Sequence, residues 1–140
     1  MLIEWKNEYS VGHPDLDLDH QNLLDLINTL HRAWVDEEDR IVIEGIFREL
    51  MMYTEYHFSR EEALLKHIGY AHLDDQEVDH AMLKKQVVDF LNENLNKDTP
   101  EKINAAAEEF LKTWMLGHIL EEDQKYKKVV QNAPPIAEII

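Results

Sequence analysis

Apolar residues recur at three- and four-residue spacing along almost the whole chain, in four stretches parted by short breaks. That period matches the turn of an α-helix and directs one stripe of each stretch inward. The first stretch spans about 17–34, with Leu23, Leu24, Ile27, Leu30 and Trp34 in its stripe. The second spans about 41–66 along Ile43, Ile46, Phe47, Leu50, Thr54, Leu64 and Leu65. The third spans about 72–94 along Leu73, Leu83, Val87, Phe90 and Leu91. The fourth carries Ile103, Ala107, Phe110, Leu111 and Trp114 and reaches about residue 131. Thr99 is its expected cap, Pro100 fits its first turn, and Lys102 stands where a capping-box Glu would be. Strand signals are nearly absent. The pattern predicts an all-α, antiparallel up-down-up-down four-helix bundle behind an extended N-terminal segment. One domain over 1–131 and a tail over 132–140 follow, and the tail, NAPPIAEII, is expected to be loose.

Length and charge narrow the function. The chain has 140 residues, enough for one core. Asp and Glu number 29 against 14 Lys and Arg, a net charge of −15. Such an excess opposes nucleic acid and anionic membrane surfaces as partners. Without cysteine there is no disulfide, thiolate ligand or cysteine nucleophile, so any metal falls to His, Asp and Glu. The opening MLIEWKNEYS does not read as a signal peptide, and no run of about 18 apolar residues is present. The expectation is a cytoplasmic protein, monomeric or weakly oligomeric.

Polar side chains interrupt the inward stripes. His20 lies just before Leu23 and Leu24; His57 and Glu61 are four apart on the second helix, and Gln76 and His80 four apart on the third. His118 follows Trp114 by four, and Asp123 follows His118 by five. Residues four apart differ by about 40° around the helix axis, so their heads can converge. A lone inward histidine is commonly a hydrogen-bonded core residue. Four of them with two inward acids would leave six polar heads in one core, and metal ions satisfy all six together. Imidazole and carboxylate donors without sulfur favour iron, manganese or zinc. Two carboxylates able to bridge favour a pair of irons. The Glu-x-x-His signature of the ferritin-like di-iron bundles is absent. His13, His31 and His67 read as surface histidines. Glu62 points away from Glu61's direction, toward the surface or a supporting position. The acidic runs at 36–39 and 74–77 read as solvated helix ends, Gln76 excepted.

This combination resembles the bacterial hemerythrins. The matching stretches are Trp5 with Tyr9-Ser10-Val11-Gly12, Asp19-His20, His57-Phe58-x-x-Glu61-Glu62, Ile68-Gly69-Tyr70, His80, and Trp114 with His118-Ile119 and Asp123-x-x-Tyr126. They extend over about residues 2–131. The resemblance implies a four-helix bundle around two non-haem iron ions that bind dioxygen reversibly. It assigns His20 and His57 to one iron, His80 and His118 to the other, and Glu61 and Asp123 to the bridges. One position departs: the family's third helix carries His-x-x-x-His, where this chain has Gln76-x-x-x-His80. Gln76 could ligate weakly, hold a water or fill space. His72, about 12 Å along the helix from His80, is a poor substitute.

An apolar pocket for dioxygen would draw on Leu23, Leu24, Phe58, Leu83, Trp114, Met115 and Ile119, all of them also core residues, with Tyr126 bonding within the site or simply packing. In a regular helix Asp123 would lie about 140° from His118, so a widening of the π-bulge type is expected between them. The functional expectation is dioxygen storage, delivery or sensing. The alternatives are an enzyme that reduces peroxide, oxygen or nitric oxide at a more open four-histidine site, and an iron-binding module without catalysis.

Overall fold

The computed structural model describes residues 1–94 and 102–140. Four long helices carry the four stripes: α1 (Pro14–Val35), α2 (Arg40–His67), α3 (Leu73–Asn94) and α4 (Ala105–Glu121). Among the described residues there is no strand. α1 packs against α2 and α4, and α3 packs against the same two, closing an antiparallel ring. α1 starts earlier than its apolar period because Pro14 fits the first turn and His13 caps it, Nδ1 accepting from the Asp15 amide at 3.2 Å. α2 ends in a left-handed residue, Gly69 (φ +71°), with the Tyr70 amide donating to Leu65 O and the Gly69 amide to Lys66 O. This closure satisfies the last carbonyls and reverses the chain into α3. Thr99 and Pro100 lie outside the described residues. Residues 102–104 are not helical, and Asn104 is the cap of α4, its Oδ1 accepting from the Ala107 amide at 2.8 Å.

The bundle has two apolar clusters. The larger joins Leu23, Leu24, Ile27, Phe47, Leu50, Phe58, Leu83, Phe90, Trp114, Met115 and Ile119 among others. The smaller contains Val11, Leu16, Leu64, Leu65, Tyr126, Val130 and Ile136. Along α1, His20 falls between Leu16 of the smaller cluster and Leu23 of the larger. On α2, Glu61 likewise falls between Phe58 and Leu64. The polar inward residues therefore form a layer with apolar packing on both sides.

The structure departs from the sequence pattern at the tail, at His13 and at the end of the fourth helix. The tail is not loose: Ile136 is fully buried in the smaller cluster, and its amide donates to Asp15 Oδ2 at 2.9 Å. Its apolar side chain closes the end of the bundle that α1, α2 and the residues after α4 leave open. His13 is not a surface residue. It is 3% exposed, and its Nε2 lies 3.1 Å from the Pro134 carbonyl oxygen, tying the tail to the start of α1. The fourth helix does not run on to 131 with a widened turn. It ends at Glu121, and a tight 3-10 turn (Asp123–Tyr126) leads into a four-residue helix, α5 (Lys127–Val130). The Glu122 amide still bonds His118 O, whereas the Lys125 amide bonds Glu122 O, only three residues back. The regular helix is thus interrupted at Glu122, and no inserted residue of the widened type is seen there. Asp123, Tyr126 and Val130 become buried, while Glu122 and Lys125 pair with each other outside at 3.0 Å.

The N-terminal segment is pinned across α1. Asn28 exchanges two hydrogen bonds with the Ile3 backbone at 2.8 and 2.7 Å, and Asp17 accepts from Ser10 Oγ and the Val11 amide. Gly12 (φ +80°) runs so close to Gln131 that a Cβ would sit 2.8 Å from Gln131 Cγ. Its backbone angle favours glycine there, and any side chain would also push the Gln131 side chain aside.

Candidate metal centre

His20 on α1, His57 and Glu61 on α2, His80 on α3, His118 on α4 and Asp123 in the tight turn meet in the layer between the two clusters, all at most 5% exposed. They form two groups whose donor atoms lie within 4.8 Å of one another and could hold a metal ion: His20, His57, Glu61 and Asp123, and Glu61, His80, His118 and Asp123. The two carboxylates belong to both groups, and each divides its oxygens between them. Glu61 Oε2 is 3.0 Å from His57 Nε2 and 3.5 Å from His20 Nε2, and Oε1 is 2.9 Å from His80 Nε2. Asp123 Oδ2 is 3.1 Å from His20 Nε2, and Oδ1 is 2.9 Å from His118 Nε2.

A second set of acids fixes the imidazoles from behind. His57 Nδ1 lies 2.9 Å from Asp19 Oδ2, and His80 Nδ1 lies 2.8 Å from Glu62 Oε2. His118 Nδ1 contacts Asp79 Oδ2. Each acid is the sequence neighbour of an inward residue and reaches the histidine of the next helix: α1 to α2, α2 to α3, α3 to α4. Donation from Nδ1 leaves the Nε2 lone pair facing the centre, the orientation a ligating histidine needs. Asp19 also accepts from Arg60 Nε at 3.1 Å and the Tyr53 hydroxyl at 3.2 Å.

Charge is concentrated at the centre. Burial disfavours protonated His20, but Asp123 and Glu61 outweigh it and raise the imidazole to about 9. His118 and His80 are raised in the same way, against burial, by Asp123 and by Glu61 respectively. Burial opposes ionisation of Glu61, yet His57, His20 and His80 hold its carboxyl well below the usual range. Asp123 is lowered despite its burial and the neighbouring Glu61 charge, through His118 and His20. The Tyr126 hydroxyl donates to Glu61 Oε2 at 2.9 Å, and burial with the Asp123 and Glu61 charges pushes it well above its normal value.

The donor set fits metal ions. Among the described residues, His20 Nε2, His57 Nε2 and Asp123 Oδ2 are buried with no hydrogen-bond partner. Such atoms are costly in a core unless a cation satisfies them. His20 Nδ1 is also unpartnered, the one break in the ring of supporting acids.

Gln76 enters the cluster from α3 and is 2% exposed. Its Nε2 donates to Glu61 Oε1 at 2.8 Å and to Asp123 Oδ1 at 2.6 Å. His72 is exposed and pairs loosely with Asp75, so it takes no part. Phe58 stacks on the His80 ring at 3.8 Å with an interplanar angle of 3°, and contacts the His57 and His118 rings edge-on or tilted. Leu23, Leu24, Leu83, Trp114, Met115 and Ile119 are buried in the larger cluster, and Tyr126 in the smaller. The Trp114 indole donates to Leu83 O at 3.0 Å. His67 is exposed as expected, whereas His31 is half-buried against Glu108, 2.9 Å away.

Sequence reasoning gave Asp19 and Asp79 no role, and left Glu62 between surface and support. The available signal was adjacency: each stands directly beside an inward residue, about 100° around its helix and thus on the flank that meets the neighbour.

A four-helix bundle enclosing histidines spanned by two shared carboxylates defines a protein of the helical metal-binding class. The chain belongs to the hemerythrin family: residues 11–130 match the hemerythrin HHE cation binding domain. It is 33% identical over 130 residues to a bacteriohemerythrin of Clostridium acetobutylicum, covering 89% of this chain and 98% of that one. A hemerythrin-like protein of Naegleria gruberi is 27% identical over 128 residues, covering 91% and 93%. A crystal structure of wild-type hemerythrin superposes with a TM-score of 0.80 at 23% identity, over 94% of this chain and 99% of the other, a likeness of fold.

Proposed function

We propose that this chain holds two iron ions and binds dioxygen at them, with His20 and His57 serving one ion, His80 and His118 the other, and Glu61 and Asp123 bridging. The observation that carries the reading is the division of both carboxylates: each turns one oxygen to each histidine pair. When bound, the ions would supply the electrons and the open coordination that dioxygen binding requires. The residues supply the rest. Asp19, Glu62 and Asp79 hold three imidazoles with Nε2 inward. Tyr126 keeps a donor on Glu61 Oε2. Phe58, Leu23, Leu24, Leu83, Trp114, Met115 and Ile119 form the apolar wall that limits water, and so limits proton-assisted loss of reduced oxygen.

The test is anaerobic reconstitution with ferrous iron, followed by metal analysis and visible spectra before and after oxygen. Two irons per chain and a visible band reversed by vacuum are expected. Failure to retain iron would reject the reading. One observation favours the enzymatic alternative: a surface cavity of about 550 Å³, lined by Tyr70, His72, Gln76, Asp79 and Lys125 among others, is parted from the cluster by the Gln76 side chain. Peroxide turnover by the iron-loaded protein, without a reversible band, would select that alternative.

A further inference from the structure

The two halves of the centre differ in what satisfies their donor atoms. In the His20 half, His20 Nε2, His57 Nε2 and Asp123 Oδ2 have no hydrogen-bond partner. In the His80 half a side chain of the protein itself stands among the donors. Gln76 Nε2 lies 2.8 Å from Glu61 Oε1, 2.6 Å from Asp123 Oδ1, 3.4 Å from His80 Nε2 and 3.5 Å from His118 Nε2. These come from the four residues of the second metal-competent group. The amide must present its NH₂ end there, since its oxygen would face two carboxylate oxygens.

A transition metal bonds such donors at about 2.0–2.2 Å. An ion drawn to these four atoms would need the space that Nε2 occupies. Hence the carboxamide and the second ion exclude each other unless the amide withdraws or turns its oxygen inward. The side chain has somewhere to go, because Gln76 lines the surface cavity of about 550 Å³. Among the described residues, no side-chain amide bonds the inward nitrogens of the His20 half.

We propose that the Gln76 carboxamide acts as an internal plug for the second metal position, so that this chain loads metal in order. The first ion enters at His20, His57, Glu61 and Asp123. The second must displace two hydrogen bonds to carboxylates, which weakens it relative to the first by on the order of 100-fold. The one-metal protein is therefore a defined state. This inference rests on the proposed metal site.

The experiment titrates the metal-free full chain with ferrous iron under anaerobic conditions, read by native mass spectrometry and calorimetry. A populated one-metal species and two separated steps are expected. Gln76→Ala removes the plug without adding a donor, so the second step should tighten about tenfold or more toward the first. A weaker second step in Gln76→Ala would make Gln76 a ligand and overturn the proposal. So would loading of two ions by the unaltered chain with no one-metal species. If Gln76→Ala does not fold, Gln76→Met serves. Its thioether fills similar volume and cannot donate to the carboxylates, so the two ions should load together; a wild-type one-metal plateau in that variant would refute the plug. Side-chain amide NMR with zinc gives a reading free of any variant. The Gln76 NH₂ protons should stay protected from solvent exchange at one equivalent and lose that protection at the second; loss at the first is contrary. Absence of any metal binding instead removes the metal site itself, and the plug with it.

Discussion

Replacing Asp19 with Asn removes a negative charge from behind His57 at nearly constant size. Asp19 is 3% exposed and accepts from His57, Arg60 and Tyr53. Asparagine's oxygen can still accept from His57 Nδ1, but a charge-assisted bond becomes a neutral one of roughly half the strength. Bonds to charged groups contribute about 1.5–3 kcal/mol and neutral ones about 1, so the loss at His57 is about 1 kcal/mol. The Arg60 side chain, 18% exposed, can turn toward water and adds only a few tenths of a kcal/mol. The metal-free protein should therefore lose about 1–1.5 kcal/mol of stability. The effect on metal is separate: losing the partner behind a ligating histidine costs about 10–100-fold in affinity. Glu62→Gln should cost less, because Glu62 is 30% exposed and water can stand in for it behind His80. The assay is zinc competition against a chromophoric chelator, paired with thermal unfolding of the metal-free variants. A lowered melting temperature with unchanged zinc affinity in Asp19→Asn would refute the supporting role.

Four further outcomes are expected. The metal-free protein should show a pH window of stability. His20, His80 and His118 are raised above 6.5, so their contribution is whole below 6.5 and is lost as pH climbs, through about 9 for His20. Glu61 and Asp123 are lowered, so theirs is present above about 4.5 and lost as pH falls. Unfolding midpoints measured in chelator should peak between these limits; a steady rise from pH 6.5 to 9 would contradict this. Glu61→Ala should lower iron content below two per chain, and two tightly held irons in that variant would reject the bridge. Ile136→Ala should cost about 2–5 kcal/mol in denaturant unfolding, since its side chain fills the end of the smaller cluster; a change under 0.5 kcal/mol would show the tail to be dispensable. Tyr126→Phe should weaken metal retention at Glu61 with little change in fold, measured by chelator challenge, and unaltered retention would leave the hydroxyl a packing role.

The four helices were legible because their apolar period needs no tertiary knowledge, and the six inward histidines and acids because they break that period. The Asp123 register conflict was visible too, five residues after His118. Its resolution was not: the helix breaks at Glu122 into a tight turn that buries Tyr126 and Val130 in the smaller cluster, a packing no local pattern shows. Asp19, Glu62 and Asp79 lie on helix flanks that read as surface, and become supports only when a neighbouring helix presents an imidazole. His13 finds its partner in Pro134, and Ile136 in Asp15, each across 121 residues and beyond any local pattern. Gln76 stood out by its identity, but its place among four donors is a fact of packing.

The most direct test of the account is the visible spectrum of the reduced protein at saturating ferrous iron, recorded before oxygen, after oxygen and again under vacuum. A reversible dioxygen site gives a new band on oxygenation that vanishes under vacuum and returns with oxygen. Iron-loaded protein that shows no band, or that oxidises on first exposure and never recovers its reduced spectrum, would contradict a reversible dioxygen site.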